Sequence, residues 1–205
     1  MIVTQLAAIS NGRYRVYVED EIVFVLYRGE LKRLNIREGK EISEEILREI
    51  QEEILPNRAK KRAMNLLQKR DYTAAGLRRK LQEGDYPESS IEEAITYVES
   101  YGYIDDFRYA RDFILYHMDK KSRTRIEQDL LRKGIDRKLI GEVFDALEEE
   151  GTRQNEETMI IALLQKKKYD VKTAGPQEKQ RMYAFLYRRG FHSEAINKAL
   201  LLDIT

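Results

Sequence analysis

The chain has 205 residues with Lys plus Arg at 37 against Asp plus Glu at 36, so no global field of one sign draws it to nucleic acid or membrane. Zero Cys excludes a disulfide framework, a thiol nucleophile and thiolate metal sites. Charged residues make up 36 %, hydrophobic residues 42 % and mean hydropathy is −0.63, the balance of amphipathic helices with one buried stripe each.

Ile2 to Ile9 and Tyr14 to Val18 read as strands around Ser10-Asn11-Gly12-Arg13, a strong hairpin signal. Tyr14, Val16 and Val18 alternate with Arg15, Tyr17 and Glu19. A turn at Glu19-Asp20-Glu21 leads to a third strand, Ile22 to Leu26, completing a small antiparallel meander. Leu31, Leu34 and Ile36 predict a short helix. Ser43 predicts the cap of another through Ile46, Leu47, Ile50 and Ile54, stopped by Pro56. Residues 1–57 carry 8 basic and 11 acidic side chains, which argues against a nucleic-acid surface there.

From Ala59 onward the pattern is helical and repeats itself. Ala63-x-x-Leu66-Leu67 recurs as Ala110-x-x-Phe113-Ile114 and Ile160-x-x-Leu163-Leu164. A second helix ends at Gly84 before Tyr86, at Gly134 before Ile135 and at Gly190 before Phe191, and these glycines read as helix C-caps. A third helix carries Ile91, Ala94, Ile95 and Val98, then Ile140, Val143, Phe144 and Leu147, then Ile196, Ala199 and Leu200. One residue of slack near Pro87 aligns the first copy. Ser89 with Glu92, Asp136 and Ser193 are the expected caps. The reading is a mainly α fold: three tandem three-helix repeats of about 45 residues in an elongated curved array. A small N-terminal antiparallel β region with short helices precedes them. Expected boundaries are 1–57, 58–105, 106–150 and 151–205.

Tyr101 to Arg111 joins the first two repeats: Gly102 stops one helix and Asp105 or Asp106 starts the next. Paired carboxylates can serve catalysis or metal, but no His or Cys stands near these, and a cap accounts for them. By fixing the angle between repeats this junction would set the curvature. His117 and His192 are lone histidines expected at the surface or at caps, and no GxGxxG or GK[ST] loop occurs. Tyr101, Tyr103, Phe107 and Tyr109 are expected to pack rather than stack on bases.

Gly102-Tyr103-Ile104-Asp105-Asp106 with Arg108-Tyr109-Ala110, Leu131-Arg132-Lys133-Gly134-Ile135 and Leu77-Arg78-Arg79-Lys80-Leu81 closely resemble the RecX family, regulators of the RecA recombinase. The likeness covers roughly residues 58 to 202. Two positions depart from the family pattern. Thr73-Ala74-Ala75-Gly76 lacks an acidic residue that would complete a capping box, and Ser122 stands where a Gly is frequent. The resemblance implies a non-enzymatic protein; a monomer without cofactor or metal is expected, and the absence of Cys, of a membrane-length apolar run and of a signal core leads to the expectation of a cytoplasmic protein. It implies binding in the groove of the RecA filament, beside single-stranded and double-stranded DNA, and inhibition of strand exchange and ATP hydrolysis. A helical-repeat protein binding nucleic acid directly, without a recombinase, is the alternative. No apolar run approaches a membrane span, and the N-terminus has no signal core.

Basic clusters recur at equivalent places and form the expected binding face. They are Arg78, Arg79 and Lys80, then Lys120, Lys121, Arg123, Arg125, Arg132 and Lys133, then Lys166, Lys167, Lys168, Arg188 and Arg189. Net charge rises from +1 (9 basic, 8 acidic, 58–105) to +2 (10 and 8, 106–147) to +4 (10 and 6, 152–205). Arg123 and Arg125 are expected to be replaceable by Glu with little loss of stability.

Overall fold

The computed structural model describes residues 1–10, 12–20 and 22–200. Three strands, β1 (Val3–Ser10), β2 (Arg13–Val18) and β3 (Ile22–Tyr27), form an antiparallel sheet in the order β1-β2-β3. Val16 pairs with Leu6 and Phe24 and Val18 with Val3 and Ile22, so the alternation read in β2 faces one core. Asn11 and Glu21, part of the two expected turns, lie outside the described residues. Gly12 (φ +74°), Glu19 (φ 51°) and Asp20 (φ 59°) carry the left-handed backbone that tight hairpins require. Segment 40–42 borders β1, with Val3 N–H donating to Lys40 O at 2.9 Å and Ile42 N–H to Met1 O at 2.8 Å. Helices α1 (Arg28–Arg33) and α2 (Glu44–Glu49) contribute Leu31 and Leu47 to a core shared with Val16, Val18, Phe24 and Leu26. Ser43 caps α2 as expected, its hydroxyl accepting from Ile46 N–H at 3.2 Å.

Pro56 does not stop the helix. The chain passes from α2 through one π-helical turn (Ile50–Ile54) directly into α3 (Leu55–Leu67), with Leu55 N–H reaching Ile50 O. Proline lacks a donor and its ring crowds the carbonyl four residues back. The wider turn meets both demands one residue before Pro56, which sits in the first turn of α3. The boundary expected at 57/58 therefore falls inside a continuous helical run.

Three further cores follow the repeat. Ala63, Leu66, Leu77, Leu81, Ile91, Ala94 and Val98 build the first, from α3, α4 (Ala74–Gln82) and α5 (Glu88–Ser100). The second draws Ala110, Ile114, Ile126, Leu130, Ile140, Val143, Phe144 and Leu147 from α6 (Asp106–His117), α7 (Arg123–Arg132) and α8 (Arg137–Glu149). The third draws Ile160, Leu164, Leu186 and Ile196 from α9 (Glu156–Lys166), α10 (Pro176–Arg188) and α11 (Ser193–Ala199), with Phe191 from the α10–α11 turn and Leu200 at the α11 C-cap. The chain divides into two compact units, residues 1–105 and the remainder from 106.

The cap register of the first repeat differs from the expectation. Gly134 (φ +88°) and Gly190 (φ +84°) are left-handed, but in the first repeat that backbone belongs to Asp85 (φ 61°), not Gly84. Tyr86 N–H to Leu81 O, Ile135 N–H to Leu130 O and Phe191 N–H to Leu186 O are then equivalent bonds, and the slack assumed near Pro87 disappears. Gly84 is small for another reason: a Cβ there would lie 2.9 Å from the Tyr86 ring. Two expected caps also shift. Helix α5 begins after Pro87, leaving Ser89 inside it, and His192 rather than Ser193 precedes α11. Thr73, Ser122 and Asp136 each cap through the side chain, so α4 keeps its cap bond without a capping box. The link after α8 ends that helix, with Gly151 left-handed and Thr152 N–H on Leu147 O.

In the first unit the sheet is fastened to the first repeat. Arg58 of α3, 15 % exposed at its side chain, donates to Val25 O at 2.7 Å and to both oxygens of Glu30 at 2.7 and 2.6 Å. Its guanidinium also lies 4.7 Å from the Tyr27 ring. Arg13 donates to Gly84 O and Arg15 to Asp85, each at 2.8 Å.

Candidate functional site

The junction motif ends one helix and begins the next. Gly102 (φ +68°) follows α5, Tyr103 N–H returns to Val98 O at 2.9 Å, Asp105 stands immediately before α6 and Asp106 opens it, and Ala110 is fully buried. The four aromatic residues expected to pack differ in burial. Tyr101 (63 %), Tyr103 (49 %) and Phe107 (38 %) are exposed, with Tyr101 5.0 Å from the Tyr97 ring and stacked on Tyr103 at 6.1 Å, while the half-buried Tyr109 stacks on Phe113 at 6.5 Å. Loop and helix-start positions do not obey the helical spacing used to assign them to a core.

The basic positions differ sharply in how far they are neutralised. In the first repeat Arg78 is paired with Glu88 and, at 2.6 Å, with Glu92, and Lys80 with Glu83 at 2.5 Å. Arg79 makes no ion pair among the described residues. In the second, Asp129 gathers Lys121 at 2.8 Å, Arg132 at 2.5 Å and Arg125 at 3.7 Å. Burial alone would raise the Asp129 carboxyl, but the Lys121 hydrogen bond and the three nearby cations outweigh it and hold it below the usual carboxylate range. Arg123 is committed twice over: to Glu127 and Glu148, both at 3.1 Å, and to the Phe144 ring at 4.3 Å. These contacts bear on the expectation that Glu can replace Arg123 with little loss of stability, since such a change would break all three. Lys120 lies 4.2 Å over Tyr116, and Lys133 lies over Tyr109 and Phe113 at 5.4 and 5.3 Å.

The third repeat holds its cations differently. Lys167 and Arg189 flank the Phe185 ring at 4.4 and 4.6 Å, and Lys168 turns left-handed (φ 53°) after α9. Lys166, Lys167, Lys168, Arg188 and Arg189 are exposed, and none forms a salt bridge among the described residues. Rings orient cations without cancelling their charge, so net positive potential persists here.

Within the second unit the structure brings Arg125, Arg188 and Arg189 to one groove of about 450 Å³, between the start of α7 and the α10–α11 turn. Its seam is close-packed. The Ser122 hydroxyl, buried at the α7 cap, donates to Arg189 O at 2.7 Å and accepts from Arg125 N–H at 3.4 Å. Gly190 lies so near that a Cβ would meet Ser122 Oγ at 2.8 Å and Thr124 Cβ at 3.3 Å. Sequence reading missed Thr124, Gln128 and Tyr187 of this groove, because partners from two repeats meet only after folding.

A cavity of about 700 Å³ in the same unit is less suited to a charged ligand, since most of its ions are paired. Arg123 holds Glu148 there, His192 Nδ1 lies 3.0 Å from Glu156, and Lys198 is 2.6 Å from Glu157. His192 thus has an acidic partner that its sequence neighbours concealed. His117 is half-buried, 4.3 Å from the Phe113 ring, and burial with Lys121 and Lys120 pushes its pKa down. Among the described residues no His/Cys/Asp/Glu group is arranged to hold a metal, and no helix is long and apolar enough to cross a membrane.

Family comparisons agree with this architecture. The first, second and third three-helix domains of RecX match residues 59–97, 105–143 and 155–200. Regulatory protein RecX of Caldanaerobacter subterraneus subsp. tengcongensis is 30 % identical over 194 residues, covering 94 % of either chain. That of Clostridioides difficile is 28 % identical over 195 residues, covering 93 % of this chain and 89 % of its own. A crystal structure of regulatory protein RecX has a TM-score of 0.63 at 21 % identity, covering 98 % of this chain and 99 % of the other, a likeness of fold. RecX from Lactobacillus salivarius has a TM-score of 0.60 at 19 % identity, covering 72 % and 96 %. With three repeat domains matched in order and a relative similar along nearly the whole length, the chain belongs to the RecX family of non-enzymatic regulatory proteins.

Proposed function

We propose that the protein regulates homologous recombination by binding the RecA filament on DNA, lying in the filament's groove, and inhibiting strand exchange and ATP hydrolysis. Membership in a family of regulatory proteins supports the regulatory role. The observation that carries the binding mode is the cationic surface of the third repeat, where five basic side chains lack intramolecular salt bridges among the described residues. A filament of recombinase on nucleic acid offers anionic groups along a groove, and successive helical repeats suit contacts at successive positions.

The test is RecA ATPase and strand exchange with substoichiometric protein, beside binding to bare single-stranded DNA across a salt series. Inhibition at low ratios that outlasts the loss of bare-DNA affinity at higher salt supports the reading. If bare-DNA affinity accounts for the whole effect and collapses with salt, direct nucleic-acid binding without a recombinase replaces it.

A further inference from the structure

We propose that the groove between α7 and the α10–α11 turn is a phosphodiester site for single-stranded nucleic acid, with Tyr187 as the stacking surface for a neighbouring base. The proposal deepens the filament reading by naming the contact to the DNA strand, and its test below separates the two.

Composition of the groove is the first support. Thr124, Arg125, Gln128, Tyr187, Arg188 and Arg189 line it with Gly190, Phe191, His192 and Ser193, and no carboxylate is among them. In a chain with 36 acidic residues, a groove lined by three arginines and no carboxylate favours anions. Arg125 has one acid near it, Asp129, at 3.7 Å, and that carboxylate is taken more closely by Lys121 and Arg132. Arg188 forms no ion pair among the described residues. The hydroxyls of Thr124 and Ser193 and the Gln128 amide add neutral donors of the kind that seat phosphate oxygens.

The aromatic component selects the single strand. Tyr187 is 60 % exposed and lies nearly parallel to Tyr183, at 12° and 6.2 Å, which orients one ring while the other side of the pair stays available. An exposed ring beside phosphate-binding arginines matches single-stranded recognition, because a duplex hides its base faces. An acidic peptide would use the arginines but gain nothing comparable from the ring.

Fluorescence anisotropy of a labelled thymidine oligonucleotide, read with the full chain across a salt series, tests the site. Arg125→Ala with Arg188→Ala should weaken binding by about tenfold or more at low salt. It should also flatten the log K against log salt slope by about 1.4, the value for two phosphates on a single strand. Tyr187→Ala should lose about tenfold and Tyr187→Phe almost nothing. Arg137→Ala with Lys172→Ala removes the same charge from two exposed residues of the same unit that do not line the groove, and should change little. Circular dichroism confirms that each variant is folded. Unchanged affinity in the groove variants, an equal loss in the control pair, or displacement of the oligonucleotide by a poly-glutamate peptide at equal charge concentration overturns the site. Wild-type protein that binds the oligonucleotide through the groove yet leaves RecA ATPase untouched keeps the site and refutes the filament reading instead.

Discussion

Gly190→Ala isolates the seam between α7 and the α10–α11 turn. Two costs arise at once. The backbone at φ +84° disfavours any Cβ by about 1–2 kcal/mol. The new methyl must also push against Ser122 Oγ at 2.8 Å and Thr124 Cβ at 3.3 Å, a packing penalty of about 1–3 kcal/mol. Gly151 supplies the control within the same unit, since it has the same φ of +84° and nothing within 4 Å of an added Cβ. Gly151→Ala should therefore show the backbone cost alone, and Gly190→Ala should exceed it by at least about 1 kcal/mol. Ser122→Ala removes one of the two close neighbours along with its bond to Arg189 O and the α7 cap, costing roughly 1–2 kcal/mol itself. In that background Gly190→Ala should become cheaper, giving a coupling of about 1 kcal/mol in the double-mutant cycle. Guanidinium unfolding followed by circular dichroism measures all four variants. Equal costs for Gly190→Ala and Gly151→Ala would refute the argument, because the seam would then carry no steric constraint.

Other substitutions probe the remaining ion networks. Arg58→Met should destabilise the first unit by roughly 2–4 kcal/mol, because it leaves Val25 O and the Glu30 carboxylate without their half-buried donor; thermal unfolding reads the loss. Asp129→Asn should cost about 1–2 kcal/mol and leave Lys121, Arg125 and Arg132 repelling one another. Since the folded Asp129 carboxyl titrates below its unfolded value, its contribution is complete above about pH 4 and fades as pH falls through the folded value. The stability difference between wild type and Asp129→Asn should therefore narrow in acid, and a difference that widens there contradicts the network. Arg123→Glu should lower stability by roughly 1–2 kcal/mol through loss of two carboxylates and the Phe144 ring, whereas Arg125→Glu should cost less than half as much. Equal melting temperatures for the two variants would contradict that ranking.

Much of the fold was legible because its signals are local. Val16 and Val18 mark a strand by alternation, and Ile140, Val143, Phe144 and Leu147 mark a helix face by spacing; each pattern survives into a buried core. The register of the first repeat was less legible, since Gly84 invites the reading of a C-cap while Asp85 adopts the backbone and Gly84 instead makes room for Tyr86. Pro56 reads as a stop for a related reason: its usual effect on an α-helix holds, but the wider π turn just before it lets the helical run continue. Of the basic face, sequence identified the positions and missed their state. Arg123 and Arg188 look alike in a string of letters, yet one is consumed by Glu127, Glu148 and Phe144 while the other meets no acid among the described residues. Such pairing depends on which helices face each other, and that information arrives only with tertiary structure.

The π turn at Ile50–Ile54 also works as a phase shifter. One residue in an α-helix corresponds to about 100° of rotation. The extra residue in this turn therefore sets the angular offset between the stripe bearing Leu47 and Ile50, which serves the sheet, and the stripe bearing Ala59, Ala63 and Leu66, which serves the first repeat. Deleting a single residue from Gln51–Glu53 would leave every side chain in place along the sequence while turning one stripe out of mesh with its core. Arg58 would swing away from Val25 and Glu30 by the same rotation. Length in this short run is thus a gear ratio between two cores, and it constrains insertions and deletions more tightly than it constrains the identities of the exposed residues Gln51, Glu52 and Glu53.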